Sequence, residues 1–325
     1  MRAKGVKVEK RRAEQVRRWL LEQGLLEPSL KPHSEGEHVC FPVVGHVEGM
    51  CVVEMEFEER VQRAPIPRMH FDVVGDIALL DISGGEVGTE ELERARALLA
   101  HRGIRAVYGR LPVMGEFRIS PLIHLAGERR TRTIHRENGC VFELDIEGVY
   151  FNPRLATERA RVERRTPRDA VVLDMFAGVG PFSILLAKRS RERRVYAAEK
   201  NPVACEYLRA NIARNHVDVH VFEGDVRLHP RVKADAIIMN LPHSAPSFLP
   251  TALRHATAGA HLFCYTISPT ETLDEHARGL CAKNNLELVD VHVVKSYAPG
   301  VVVACVEMEV PKAKTRQRPG QRDIK

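Results

Sequence analysis

The stretch VVLDMFAGVGPFSILLAKRS, Val171 to Ser190, decides the fold. An apolar run ends on Asp174, the chain turns through Gly178 and Gly180, and an amphipathic helix follows. Glycines let the backbone turn tightly and come close to a ligand without side-chain obstruction. Pro181 falls where the helix begins, a position at which a missing N–H costs nothing. Downstream, RVYAAEK and PVACEYLRANIARN repeat the strand–helix order, and VHVFEGD and ADAIIMNLP read as further strands. This alternation predicts an α/β fold, a doubly wound, mostly parallel Rossmann-like sheet with helices on both faces, over 151–310.

Ligands of such sheets sit at the carboxyl ends of the strands, beside the topological switch point. The second strand ends at Glu199, 25 residues after Asp174, followed by Lys200 and Asn201. A carboxylate there can take both hydroxyls of a ribose. Asp225 follows the third strand, placed to meet an adenine amino group, and Asn240, Leu241 and Pro242 follow the fourth. Two nucleotide-like ligands suit the pattern. A dinucleotide prefers GxGxxG, but the window here is GVGPFS, with Ser183 in the place of the third glycine. S-adenosylmethionine has no phosphate to cradle and carries an amino group that Asp174 can orient. The D-x-F-x-G-x-G order favours S-adenosylmethionine.

Two smaller α+β blocks precede this sheet. Residues 1–60 contain a helical stretch with Val16, Leu20 and Leu21 at helical spacing and Trp19 beside them, then two strands, HVCFPVV and MCVVEMEF. Prolines 65 and 67 between charged flanks predict a linker over 61–69. Over 70–150, GDIALLDI and IRAVYGRL read as strands around a helix, and a hairpin turns at Asn138–Gly139, a dipeptide that favours such turns. Residues 311–325 read as a disordered basic tail.

The net charge of +6 is uneven. Residues 1–32 hold nine Lys/Arg and four Glu, and 311–325 hold six Lys/Arg and one Asp, so each end is +5. The 278 residues between carry 34 basic and 38 acidic groups. Basic ends around an acidic body suit arms or a small module that meet phosphates. The scarcity of Gln beside many Arg, Glu and Val leans toward a thermophile. Seven cysteines form no CxxC pair and the histidines no HExxH motif, which argues against a disulfide framework or a metal site and for reduced, mostly buried thiols. No apolar run approaches the ~20 residues of a bilayer span, so the expectation is a cytoplasmic protein with no membrane attachment.

Together, DMFAGVGPFSI, NP after an acid, MNLP, VKSYAPG, YFNPRLATERARV and TIHRENG resemble the archaeal and eukaryotic-type tRNA (guanine-37-N1)-methyltransferases over nearly the whole chain. The resemblance implies S-adenosylmethionine as methyl donor, tRNA as substrate and a monomer. It implies that the N-terminal domain touches the outer corner of the tRNA and that the other two domains embrace the anticodon stem-loop. Arg129, Arg130, Arg132, Arg161, Arg164 and Arg165 are then candidates for phosphate contacts. Guanine N1 must lose its proton as the methyl arrives, and charge then builds on the neighbouring carbonyl oxygen. By resemblance, Glu158 is the general base, Arg118 holds the carbonyl oxygen and Asn240 positions the base. Cofactor positions carried over are Arg159, Phe176, Glu199, Lys200, Asp225, Val226 and Asn240, with Asp174, Gly178, Gly180, Asn201, Leu241 and Pro242 completing the pocket. The segment KRSRERRVY is longer than the family's and is expected to be a surface loop. His243, in NLPHS, faces either the target or solvent.

Three alternatives stay open at this point. One is a wybutosine-pathway aminocarboxypropyl transferase, which tends to lack the Asn-Leu-Pro loop. Another is methylation of a wyosine intermediate. The third is a catalytically silent tRNA-binding protein. A pyrimidine carbon-5 methyltransferase would need a nucleophilic cysteine beside the fourth strand, and no cysteine lies between Cys205 and Cys264. A DNA amino-methyltransferase would prefer an N-P-P-Y loop.

Overall fold

The structure, a computed structural model, describes residues 1–59, 70–82, 86–101 and 103–312. The linker expected over 61–69 and the tail from 313 onward lie outside the described residues. The chain forms two compact units, Met1–Ile66 and Pro67–Lys325.

In the first unit, β1 (Arg2–Glu9) is followed by α1 (Ala13–Glu22), β2 (His33–Glu35), β3 (His38–Pro42) and β4 (Val52–Glu56). The sheet order is β2-β3-β1-β4, so β1 is a central strand. Its charged alternation, RAKGVKVE, hides it in the sequence: only Gly5 and Val6 are buried. Val16 and Leu20, one helical turn apart, turn inward with Val6 and Phe41. Leu21, expected on the same face, is 59% exposed, because it lies a further 100° around the helix.

The second unit opens with β5 (Phe71–Val74), β6 (Ile77–Asp81), α2 (Thr89–Leu99), β7 (Ala106–Arg110) and β8 (Leu122–Gly127), in sheet order β5-β6-β7-β8. The crossover helix α2 makes β6 and β7 parallel, and Ala95 and Leu98 pack it onto that sheet. A hairpin of β9 (Arg132–Glu137) and β10 (Cys140–Asp145) follows, turning through Asn138 and Gly139 at φ 49° and 78° as the dipeptide predicts.

Then come α3 (Ala156–Arg165), β11 (Val171–Asp174), α4 (Pro181–Arg189), β12 (Arg194–Glu199), α5 (Pro202–Asn215), β13 (His220–Glu223), β14 (Ala234–Met239), α6 (Leu249–His255), β15 (Ala256–Pro269), α7 (Leu273–Asn284), β16 (Glu287–Ala298) and β17 (Val301–Glu309). They build a seven-stranded sheet, β13-β12-β11-β14-β15-β17-β16. Its first five strands are parallel, and β17 runs antiparallel between β15 and β16. The expected doubly wound sheet is present.

The hairpin assigned to the middle block is sealed to this sheet's helical layer. Phe142 and Leu144 share a core with Phe182 and Leu208. The open edge of β10 is satisfied by two asparagines on one face of α5. Asn215 accepts from Val141 N (2.9 Å) and donates to its carbonyl (2.7 Å). Asn211 does the same for Glu143 (2.7 and 3.0 Å). A side-chain amide carries the donor and acceptor of a neighbouring strand, and its i, i+4 spacing on the helix meets the two-residue period of β10.

The segment KRSRERRVY is not simply a surface loop. Arg193 is buried and donates to the carbonyls of Pro167, Leu186, Glu163 and Thr166, closing the ends of α3 and α4. Six of the seven cysteines are buried and all are free thiols; Cys51 is exposed. Among the described residues, no helix is long and apolar enough to cross a membrane.

Candidate active site

The carboxyl ends of β11, β12, β13 and β14 open into one cavity. Its wall holds Phe176, Gly178, Glu199, Lys200, Asn201, Asp225, Val226, Asn240, Leu241 and Pro242, ten of the predicted cofactor positions. Gly178 has φ +56°, and a Cβ there would meet nothing nearer than the Tyr150 carbonyl oxygen at 4.0 Å, so a ligand can approach its backbone.

Glu199 is fixed from both oxygens. It accepts from Gly178 N at 2.6 Å and from Asn201 N at 2.7 Å. Burial raises its pKa despite those bonds. Asn201 caps α5 through Val203 N and ties the turn to Gly148 O. Asp225 accepts from Arg227, which holds its carboxyl down at about 2, and Arg227 lies over Phe248, which packs edge-on against Phe176. Lys200 pairs with Glu116 at 2.5 Å.

Three predicted cofactor residues stand outside the cavity wall. Asp174 is 1% exposed beneath the turn, where it accepts from the Ser183 hydroxyl at 2.6 Å. Burial pushes its pKa up to about 6, and its second oxygen has no hydrogen-bond partner among the described residues. Gly180 serves packing: at φ +90°, a Cβ would meet Leu208 at 2.5 Å and Ile184 at 2.8 Å. Arg159 is 2% exposed, forked onto Glu137 (2.8 and 2.9 Å), bonded to Asn152 O and packed over the rings of Phe151 and Phe182. It holds the hairpin and the 151–155 loop together.

Of the predicted catalytic trio, the structure brings Arg118 and Asn240 into the cavity and leaves Glu158 out of its wall. Arg118 sits on the β7–β8 loop at φ +56°, a conformation rare for a residue with a side chain and a mark of strain at functional positions. Its guanidinium lies 5.3 Å from the Tyr150 ring centre, with Nε and Nη1 buried and unpaired among the described residues. Two buried donors without an acceptor are costly in a finished fold, and they suit an oxygen supplied by a guest.

Glu158 lies one helical turn beyond Leu155, which does line the cavity. Its carboxylate is taken up by Arg161 (2.7 and 2.8 Å) and by the Tyr265 hydroxyl (2.7 Å), with His292 3.5 Å away. Arg161 also reaches Glu307, which Arg165 and His261 contact at 2.7 and 2.8 Å. Arg161 and Arg130, considered for phosphate contacts, are thus committed to carboxylates within the fold, Arg130 to Asp76 and Glu128.

Residue-type reasoning alone did not assign Tyr150, Lys295, Tyr297, Glu116, Phe117 or Arg227, which also line the cavity. Lys295 and Tyr297 fall in VKSYAPG and Tyr150 in GVYFNPR, two stretches of the resemblance whose individual residues carry no chemistry recognisable by type. His243 faces the cavity and packs edge-on against Tyr297, ring centres 5.6 Å apart.

Residues 133–292 match the TRM5/TYW2 methyltransferase domain, and residues 5–51 match the tRNA methyltransferase 5 N-terminal domain. The chain is similar to the tRNA (guanine(37)-N(1))-methyltransferase Trm5b of Pyrococcus abyssi, 41% identical over 320 residues that cover 90% of this chain and 95% of the relative. Among solved structures, it superposes on a complex of aTrm5 with tRNALeu with a TM-score of 0.72 at 33% identity, covering 94% of this chain and 99% of that one. It also superposes on Methanocaldococcus jannaschii Trm5 in complex with adenosine, with a TM-score of 0.66 at 34% identity, covering 95% and 100%.

Proposed function

Because the chain belongs to the TRM5/TYW2 methyltransferase family, we propose that it transfers a methyl group from S-adenosylmethionine to N1 of guanine 37 in tRNA. The observation that carries this reading is Arg118, which lines the cavity that also holds Glu199 and Asn240 and has two buried donors without partners among the described residues.

The residues present fit the cofactor. Glu199, fixed by two backbone amides, would take the ribose hydroxyls; Asp225 and Val226 would meet the adenine; Phe176 supplies apolar wall. Asp174 works from beneath, holding the Gly178–Gly180 turn through Ser183. When bound, S-adenosylmethionine supplies an electrophilic methyl group on a sulfonium centre.

The protein's role is placement and charge. Arg118 receives the guanine carbonyl oxygen as negative charge builds on it, in a site already arranged for that charge. Asn240, on a loop stiffened by Pro242, positions the base edge. The target lies in a tRNA loop, so bringing its base into the cavity costs less than extrusion from a duplex. In this reading Glu158, one helical turn beyond Leu155 of the cavity wall, takes the N1 proton, as the resemblance implies. Holding Tyr265 and Arg161, it fixes α3 against β15, and with α3 the Asn152–Leu155 segment of the cavity wall. Basic groups of the N-terminal unit meet the tRNA backbone, and the enzyme works as a cytoplasmic monomer.

Aminocarboxypropyl transfer has less support, since residues 5–51 match the N-terminal domain of the methyltransferase branch. The test is nucleoside mass analysis after incubation with S-adenosylmethionine and an unmodified transcript bearing guanine 37. The expected product is 1-methylguanosine, lost when guanine 37 is replaced by adenine. A protein that binds both substrates and yields none refutes the reading.

A further inference from the structure

At the other end of the seven-stranded sheet, where its parallel strands begin, lie two adjoining hollows. Arg194, Tyr196, His220, Phe222 and Lys233 line the first, together with His229 and Arg231. Those last two also line the second, with Arg254 and His255. The connection from β13 to β14, residues 224–233, carries a single three-residue turn, Val226–Leu228, in place of a full crossover helix. The sheet face at Tyr196 and His220 is left open as the first hollow.

No carboxylate lines either hollow. Glu223 and Asp225, from the same stretch, pair with Arg209 and Arg227, and Asp235 is held by Val171 N and the Thr257 hydroxyl. Four cations thus gather in a body, residues 33–310, where acidic groups outnumber basic ones, 38 to 34. Arg254 gives one donor to Arg227 O and keeps the rest.

His255 adds an independent sign of a guest. It is 1% exposed, and its Nδ1 accepts from Val232 N at 3.1 Å. Burial, then the charges of His229, Arg254 and Arg231, bring its pKa down to about 4. The ring is therefore neutral at neutral pH, with its proton on Nε2. That Nε2 is buried without a hydrogen-bond partner among the described residues. A buried donor left unmet is costly, and an oxyanion between Arg231 and Arg254 is the acceptor it lacks. In the first hollow His220 is exposed and stacks on Tyr196, ring centres 4.8 Å apart, so a planar base can extend the stack.

We propose that the two hollows bind a nucleotide, its phosphate at Arg231, Arg254 and His255 and its base on the outer face of His220. The same chemistry is offered by a free nucleotide and by one unit of an RNA strand. The occupant is separate from the methyl donor, which belongs at the opposite ends of these strands.

The test uses the full chain saturated with S-adenosylhomocysteine, which keeps the probe out of the cofactor cavity. Labelled uridine 5′-monophosphate should bind saturably, and inorganic phosphate should displace it with weaker affinity, since only the nucleotide stacks. Arg231→Gln, at an exposed position, should weaken both by about tenfold, the worth of a charge-assisted hydrogen bond. His255→Asn keeps an acceptor for Val232 N, removes the Nε2 donor and should act likewise. His220→Ala should weaken the nucleotide by about fivefold or more and leave phosphate unchanged. Displacement of the label by tRNA would support the site and identify an RNA strand as its source. A site that holds its label against tRNA would support a free nucleotide. No saturable binding, equal affinity for phosphate and nucleotide, or affinities untouched by Arg231→Gln and His220→Ala would overturn the proposal. Both of these variants change exposed side chains, so they decide the matter even where His255→Asn does not fold.

Discussion

Two regions of the methyltransferase half treat their charged groups in opposite ways. Around α3 the carboxylates are answered: Glu137 by Arg159, Glu158 by Arg161 and Tyr265, Glu307 by Arg161, Arg165 and His261. In the cavity wall two donors of Arg118 stand without acceptors among the described residues, on a backbone held at positive φ. Carboxylates held in this way are fixed by partners within the fold. Donors left unpaired keep their hydrogen bonds for the guest. Arginines thus divide into structural and functional ones by their partners.

The contrast can be broken most severely at Arg159. Replacing it by Met should destabilise the protein by about 3–5 kcal/mol, because the carboxylate of Glu137, buried beside it, loses its partner. Thermal or denaturant unfolding would show this, together with impaired turnover as a secondary effect. A melting temperature within a degree of wild type would remove α3 from the structural side of the comparison.

Arg118→Met tests the other side. The methylation rate should fall by about 10²–10³-fold, as when one oxyanion donor is lost. Stability should hold or rise, since two unpaired buried donors disappear. A large drop in melting temperature with little loss of rate would reverse the assignment.

The smallest effect is in the acid range. Burial pushes the Glu307 carboxyl up, but the His261 bond and Arg161 outweigh it and bring it down to about 2. A lowered folded-state value means stability that is fully present above the ordinary carboxylate range and lost as pH falls toward 2. Relative to its own stability at pH 7, Glu307→Gln should unfold less steeply between pH 4.5 and 2. An unchanged slope would show that the network's charges do not contribute there.

The parallel core of the sheet was legible because VVLDMF, RVYAAE and ADAIIM are short apolar runs between amphipathic helices, and burial on both faces requires such runs. The long strands β15, β16 and β17 were not read from pattern. β16 has exposed Leu288, Val289, Val293 and Tyr297 and three register shifts, so its alternation is interrupted. β1 was hidden by its lysines. In the site, residues at strand ends were legible because topology fixes where strand ends go. Glu199, Asp225 and Asn240 are of this kind. Arg118 and Glu158 came from resemblance, and the structure gives them different settings, one in the cavity wall and one outside it. A matching motif states which residue is present, while the available hydrogen bonds depend on neighbours such as Tyr265, 107 residues away.

The amide stitches from Asn211 and Asn215 to β10 bear on how such enzymes can be recombined. Whoever grafts a different middle module onto this sheet would cut between β8 and β9, carrying Arg132–Asp145 along with the catalytic half. A cut at residue 150 would separate both amide side chains from the strand edge they imitate, leaving a polar seam on α5 that an unrelated module has no reason to match. The transferable piece of this protein therefore begins some twenty residues earlier than a cut at residue 150 would place it.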